Sequence, residues 1–289
     1  MDTQNEGWTH HVLDAGDPRF IVDLVKAYSL PIPVTVIKEM MGVSDEDMPK
    51  FRDGLKVRTD GMSGWNVIRS MCWDLRRTRL FVKDLIDRKR AEPQDDILTG
   101  LIQAEEAGEK LSEDELIGMV FLLVFSGFET TVHLITNAVL TLLEHPEQLE
   151  RLRSEPALME SAVEEILRYR GPIHATKPMY ATEDVTLHGQ TIPKAAPLMP
   201  LLGAANFDPE VFEDPDTFDV ARTPNKHLAF GHGIHFCLGA PLARMETRIA
   251  LTNLLERNPN LRLAVDPSDL KLQTVPMWHR YESLPVSLG

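Results

Sequence analysis

The stretch "AFGHGIHFCLGAPLARMET", from Ala229 to Thr247, places Cys237 in a loop of glycines and histidines directly ahead of a segment with helical character. Gly231, Gly233 and Gly239 let the backbone bend or approach where a Cβ would block it. Pro241 stands near the start of the helical segment, where its missing N–H costs nothing. A sulfur at the mouth of a helix meets unsatisfied N–H groups and the positive end of the dipole, a setting for an anionic ligand or nucleophile. Three roles fit: a buried structural cysteine in a tight loop, a zinc site drawing on His227, His232, His235 and Cys237 at intervals that match no usual zinc spacing, and a single axial thiolate on haem iron.

Two other segments carry reactive groups. "FSGFETT" sets Ser126, Gly127, Glu129, Thr130 and Thr131 into an otherwise apolar helical pattern. Gly127 costs roughly 1 kcal/mol there relative to Ala, and neighbouring hydroxyls compete for backbone carbonyls, which predicts a local widening or kink. Such polar insertion serves helix packing, or it serves chemistry: an acid beside an alcohol, Glu129 and Thr130, can order water and pass protons. "EEILRYR" places Glu165 and Arg168 at i, i+3, the spacing of an ordinary surface ion pair.

The elements that must hold these groups are mostly helical. Ser112 opens "SEDELIG" as a capping box with Glu115, and the helical pattern persists to about Leu143. A helix of that length spans roughly 46 Å and crosses a whole domain. Further helices are predicted at "PIPVTVIKEMMGV", from Ser44 through "SDEDMPKFRDGLKV", along "VIRSMCWDLRRTRLFVKDLIDRKRAE", at "SAVEEILRYR" and at "APLARMETRIALTNLLERNP". Cys72, on the third of these, is read as a small core residue. Short segments rich in Thr, Val and Pro follow Gly171: "DVTLHGQTIP" alternates around His188-Gly189 like a hairpin, "APLMPLLGAAN" resembles an interrupted strand, and "YESLPVSL" ends the chain. The expectation is a mainly α fold with a minor β component, one domain over residues 1–289.

The 289 residues are 43% hydrophobic, enough for a sizeable core, and 44 acidic against 30 basic residues leave a net charge of -14. That balance disfavours a nucleic-acid binder. The start "MDTQNEGWTHH" shows no basic segment leading into an apolar one, so a cytoplasmic location is expected. Two distant cysteines make no disulfide framework. The longest apolar run, Leu116 to Phe128, is short for a bilayer span, so no membrane association is expected.

Phe230, Gly233, His235, Cys237 and Gly239 stand at the spacing of the haem-binding signature of the cytochrome P-450 family, and "HLAFGHGIHFCLGAPLAR" resembles its soluble bacterial members. The resemblance implies haem b with Cys237 as the iron ligand, Phe230 packed beside the sulfur, His235 on a propionate, and close backbone at Gly231, Gly233, Gly239 and Gly127. His227 and His232 inherit no role and are expected at the surface or in the loop. "FSGFETT" resembles the oxygen-activating segment, which assigns proton delivery to Glu129 and Thr130. Glu165 and Arg168 match a Glu-x-x-Arg pair completed by Arg222 of "DPDTFDVAR", a structural trio. Leu123, Ser126, Ile173 and His174 are implied to line the substrate pocket. Met179 stands where an Arg commonly holds a propionate, with Lys177 nearby. The resemblance runs from about Val22 to Leu288 and lacks the family's first quarter, which predicts weakened haem retention and self-association along a freed strand edge. The implied function is a monooxygenase that oxidises a small apolar substrate with O₂ and electrons from an external donor such as a ferredoxin and its reductase. Lys226, Arg244 and Arg248 are expected to face that donor, with Arg244 and Arg248 otherwise an ordinary solvated helix face. The alternative is a P-450 fold that has lost catalysis and serves as a haem-binding or interaction module.

Overall fold

The computed structural model describes residues 21–48, 75–106, 111–273 and 277–289. In chain order these residues form strand β1 (Ile21–Asp23), a π-helical turn (Val25–Ser29), α1 (Pro31–Met41), α2 (Leu75–Ala91), α3 (Ile97–Glu106), α4 (Glu113–Glu144), α5 (Pro146–Ser154) and α6 (Met159–Arg170). Short strands β2 (Met179–Tyr180), β3 (Val185–Leu187), β4 (Gln190–Ile192) and β5 (Pro197–Leu198) follow, then α7 (Leu202–Ala205), α8 (Ala240–Arg257), β6 (Arg262–Leu263) and β7 (Pro285–Ser287). Cys72 and most of the helix expected after Ser44 lie outside the described residues. The chain divides into two compact units, a larger one of Met1–Ile32 with Thr130–Gly289 and a smaller one of Pro33–Glu129.

In the smaller unit α2 buries Val82, Leu85 and Ile86, and α3, which packs against it, buries Leu98 and Ile102. Asp96 caps α3 by accepting the Thr99 N–H at 2.7 Å and also pairs with the buried Lys89. The first half of α4 begins with the expected capping box: the Ser112 N–H donates to Glu115 Oε2 at 2.7 Å, and the Glu115 N–H to Ser112 Oγ at 3.3 Å. The helix then runs as α through Gly127 without a π turn. The reason for the glycine is proximity, since a Cβ there would meet Ile37 Cδ1 at 2.9 Å.

The second half of α4 is the spine of the larger unit. Leu134, Ile135, Ala138, Val139, Leu140 and Leu142 are buried against Leu149 and Leu152 of α5, Val163 and Ile166 of α6, and Leu251 and Leu254 of α8. By length and composition α4 could cross a bilayer, but this half is occupied by a protein core. Asn137 ties it to the rest by donating to the carbonyls of Arg170 and His279 at 3.1 and 3.0 Å. The strands β1, β7 and β6 make one antiparallel sheet in that order. The hairpin β3–β4 turns at His188 and Gly189, both at positive φ (48° and 77°), as the type I′ geometry of a two-residue loop requires. The interrupted strand expected at "APLMPLLGAAN" is a strand only over Pro197–Leu198; Leu202–Ala205 is a helical turn instead.

Glu165 and Arg168 are not a surface pair. Both are fully buried on α6, and every N–H of the Arg168 guanidinium is used. Nε and one Nη2 hydrogen donate to the Glu165 carboxylate at 2.8 Å, while the others reach the carbonyls of Asn206, Pro215 and Thr217. Arg222 adds its Nε to Glu165 Oε1 at 3.0 Å and donates to the carbonyls of Glu213, Asp214 and Thr217. The carboxylate also accepts the Asp219 N–H and Asn225 Nδ2. A buried ion cluster is tolerated when each charge is neutralised and hydrogen-bonded in this way. Glu165→Ala leaves two cations without their counter-charge and is expected to cost about 3–5 kcal/mol in a urea titration, whereas an exposed pair would cost under about 1 kcal/mol.

Burial without compensation acts on Glu246, in the middle of α8. It is 3% exposed, its Oε2 has no hydrogen-bond partner among the described residues, and burial pushes its carboxyl up to about 8. The folded protein therefore keeps this proton between pH 4.5 and 8 while the unfolded chain releases it, so its contribution to stability falls as pH rises through that window. Burial, with the nearby positive charge of Arg280, brings His133 down to about 3; burial, with His174 and Arg170, brings His279 down to about 4. These two groups act in the opposite sense, removing stability as pH falls from 6.5. Glu246→Gln is expected to flatten the loss between pH 5 and 8 and to raise stability at pH 8 by about 2–4 kcal/mol. Thermal and denaturant unfolding across pH measure both slopes.

Candidate haem-thiolate site

The cysteine loop is shaped by two glycines in the left-handed region, Gly231 at φ 75° and Gly233 at φ 73°, on either side of His232. A short 3₁₀ turn over Gly233–His235 follows, and the Cys237 N–H closes the loop by donating to the Phe230 carbonyl at 2.9 Å. Gly239 is the N-terminal cap of α8, with the Ala243 N–H donating to its carbonyl at 2.9 Å. A Cβ on Gly239 would lie 3.9 Å from Cys237 Sγ, so the sulfur rests beside the opening turn of α8. Cys237 is exposed as a free thiol. Around it Ile234, Phe236 and Leu238 are 98%, 50% and 83% exposed, a cluster of large apolar side chains turned to the surface. Three such side chains around a soft sulfur donor at the positive end of a helix suit an apolar, anion-ligated group such as haem.

The histidines of the loop part company. His232 and His235 are exposed. His227, expected at the surface or in the loop, is buried to 3% of its side chain with Nε2 3.0 Å from Glu164 Oε2. A zinc site of His227, His232, His235 and Cys237 loses a ligand by this, and among the described residues no three His, Cys, Asp or Glu side chains gather as a metal site. Arg244, read in the sequence as part of a basic face, is likewise engaged. Its Nε and Nη2 donate to Glu164 at 2.6 and 2.8 Å, and its guanidinium lies 4.6 Å from the centroid of the Phe230 ring. Lys226 and Arg248 remain exposed. Burial raises the Glu164 carboxyl, but hydrogen bonds from His227 and Arg244, with the Arg244 charge, outweigh it and bring the group down to about 2.

Glu164 is a residue that sequence reasoning missed. Its signal is the doublet "EE": consecutive helical residues point about 100° apart, so when Glu165 turns to the buried cluster its neighbour must find other partners.

On α4, Leu123, Ser126 and Thr130 fall at i, i+3 and i+7 and share one face; Ser126 is exposed, while Leu123, Glu129 and Thr130 are half-buried. Leu123, Ser126, Gly127 and Glu129 belong to the smaller unit, Thr130 to the larger. Ile173 and His174 stand in the larger unit with Cys237 and the Glu165 trio. Ile173 bridges to Trp278, the His174 N–H donates to the Met277 carbonyl at 2.8 Å, and the rings of His174 and His279 lie 4.9 Å apart. A cavity of about 370 Å³ opens beside them, lined among others by Leu167, Tyr169, His174, Leu201 and Phe207. The pairing of Ile173 with Trp278 left no sequence signal, because an isolated bridge between residues a hundred positions apart leaves no periodic trace. Lys177 and Met179 are exposed, Met179 within β2.

A family model described as Cytochrome P450 matches residues 75–157 and 156–271. Cytochrome P450 107B1 of Saccharopolyspora erythraea is 45% identical over 281 residues, covering 97% of this chain and 68% of its own. The polyketide biosynthesis cytochrome P450 PksS of Bacillus subtilis is 40% identical over 278 residues, covering 96% and 68%. The solved structure of PksS superposes with a TM-score of 0.91 over 99% of this chain and 73% of that one, and myxobacterial CYP267B1 in complex with myristic acid with a TM-score of 0.90 at 39% identity, over 99% and 70%. The chain spans about two thirds of the length of these curated relatives. A fold shared across nearly every residue here, at identities of this size, together with the loop that presents Cys237, establishes that the chain belongs to the cytochrome P450 family of haem-thiolate monooxygenases.

Proposed function

We propose that residues 1–289 act as a single cytoplasmic haem-thiolate domain, with Cys237 as axial ligand, that oxidises a small apolar organic substrate. The observation that carries this reading is the exposed Cys237 sulfur ahead of α8, set among the outward-facing Ile234, Phe236 and Leu238. When bound, haem supplies dioxygen activation and the transfer of one oxygen atom to a C–H or C=C bond, using electrons from an external donor such as a ferredoxin with its reductase.

The remaining work falls to side chains of this chain. Phe230, whose ring meets that of Phe236 edge to face at 6.3 Å, packs on the sulfur side of the loop. His235, exposed two residues before Cys237, would donate to a haem carboxylate, and the backbone at Gly231, Gly233 and Gly239 would leave room for haem. Thr130 Oγ1 orders water, and the Glu129 carboxylate passes protons to it from solvent. Ile173 and His174 of the larger unit line the substrate side. Burial lowers His174 from its ordinary value, so it meets substrate as a neutral imidazole able to bond a hydroxyl or carbonyl without a charge. The names of relatives support an apolar carbon skeleton: PksS belongs to polyketide biosynthesis, and CYP267B1 was solved with myristic acid. Lys226 and Arg248 support docking of an acidic donor. The strands β2 and β5 pair only with each other among the described residues and carry the exposed Met179 and Tyr180, which supports association of copies along that edge.

Cys237→Ser is expected to abolish the thiolate-type spectrum of the reduced, carbon monoxide-bound protein, and Cys72→Ser to leave it intact; an unchanged Cys237→Ser spectrum ends the haem-thiolate reading. With a turned-over substrate, Thr130→Ala and Glu129→Gln are expected to slow product formation by on the order of 10² or to divert electrons to peroxide. Equal product per electron in both variants would mean that these residues only pack.

A further inference from the structure

Glu164 joins three elements: α6, α8 and the loop that leads into Phe230. It projects from α6. Arg244 of α8 donates to both of its oxygens, and His227 of the incoming loop binds Oε2. The histidine's other nitrogen fixes its tautomer: the Ala229 N–H donates to Nδ1 at 3.2 Å, so Nδ1 is bare and Nε2 carries the hydrogen that goes to Glu164. Two arms therefore leave the carboxylate. One runs through the His227 ring to the backbone of Ala229. The other runs through the Arg244 guanidinium to the face of Phe230. Both end on adjacent residues, and the second of these, Phe230, accepts the Cys237 N–H on its carbonyl. The supporting groups are themselves fixed, since His227 is buried and the Leu228 N–H donates to Asn206 Oδ1 at 2.7 Å.

We infer that Glu164 is the positioning residue of the cysteine loop, holding Phe230 and through it the Cys237 amide by way of His227 and Arg244. The cluster around Glu165 takes hold of the chain earlier, at Asn225, and its Arg168 and Arg222 end on the carbonyls of residues 206–217 rather than on Ala229 or Phe230. A bidentate guanidinium–carboxylate pair is also directional enough to set an orientation, which a lone point charge is not. The inference rests on the haem-thiolate reading for its optical consequence only; the mechanical consequence belongs to the loop itself.

The test compares wild type with Glu164→Ala, Glu164→Gln, Arg244→Gln, Arg244→Lys and the double variant Glu164→Gln/Arg244→Gln, with Arg151→Gln, which breaks the exposed pair to Asp219 in the same unit, as control. Amide hydrogen exchange is followed over residues 227–239, and the carbon monoxide spectrum gives the fraction of thiolate-type species. Exchange at Ala229 and Cys237 is expected to quicken about tenfold in Glu164→Ala and Arg244→Gln, while global unfolding shifts far less. Arg244→Lys, which keeps the charge and loses the fork, is expected to stay fast. The double variant is expected to be no faster than Arg244→Gln alone, because the two residues act as one unit. The thiolate-type fraction falls in the same order, and Arg151→Gln changes neither readout. Unchanged exchange in a folded Glu164→Ala protein overturns the inference, as do additive effects in the double variant. Should Glu164→Ala not fold, Arg244→Gln decides alone, since its half-exposed side chain can be replaced without opening a cavity. A wild type without a thiolate-type band would refute the proposed function and leave amide exchange to decide the positioning role.

Discussion

A carboxylate sealed from water must have its charge matched and its lone pairs filled, and Glu165 is such a group. Meeting that requirement fixes much of the larger unit. Arg168 comes from the same helix, but Arg222, Asn225 and the Asp219 amide come from the irregular chain more than fifty residues on. The guanidiniums then spend their remaining N–H groups on carbonyls between Asn206 and Thr217, a region with no sheet or helix to satisfy them. A segment whose own hydrogen bonds are single turns is tied to α6 by one buried ion cluster. Phe207 and Phe212 close over the Arg168 guanidinium at 5.2 and 5.3 Å and keep water from it.

The cysteine loop begins where that cluster ends. Asn225 bonds Glu165 and His227 bonds Glu164, so two adjacent acids on α6 take hold of two alternate residues of the chain as it approaches Phe230. Positive φ at Gly231 and Gly233 then turns the backbone so that Cys237 reaches back to Phe230. The outcome is a sulfur anchored from behind and open in front. Ile234, Phe236 and Leu238 face outward, an arrangement that would be a liability on a bare surface and is suited to an apolar prosthetic group.

The long helix α4 shows a different economy. Its C-terminal half is buried on nearly every face, and its polar residues there turn inward to backbone carbonyls, as Thr136 does to Val132 and Thr141 to Asn137. In its N-terminal half the glycine admits Ile37 at a distance no Cβ would allow. Sequence reasoning expected distortion at Gly127 because a mid-helix glycine is costly; the structure shows an intact helix whose glycine is a matter of packing space.

What the sequence determined by itself are features whose cause is local. The capping box at Ser112, the hairpin at His188-Gly189, the limits of α4 and α8 and the glycine-framed cysteine loop all follow from contacts within a few residues, which spacing records directly. The family likeness was legible for the same reason, since the signature around Cys237 is continuous. Tertiary structure decided whatever depends on partners far along the chain. Whether Glu165 and Arg168 were a surface pair or a buried hub, whether His227 faced solvent or Glu164, whether Arg244 was a free cation or a clamp over Phe230, and that Ile173 meets Trp278 were all undetermined by local pattern. Burial and charge pairing are properties of assembled surfaces, and the same i, i+3 spacing serves an exposed pair and a sealed one until the chain brings Arg222 and Asn225 across to close it.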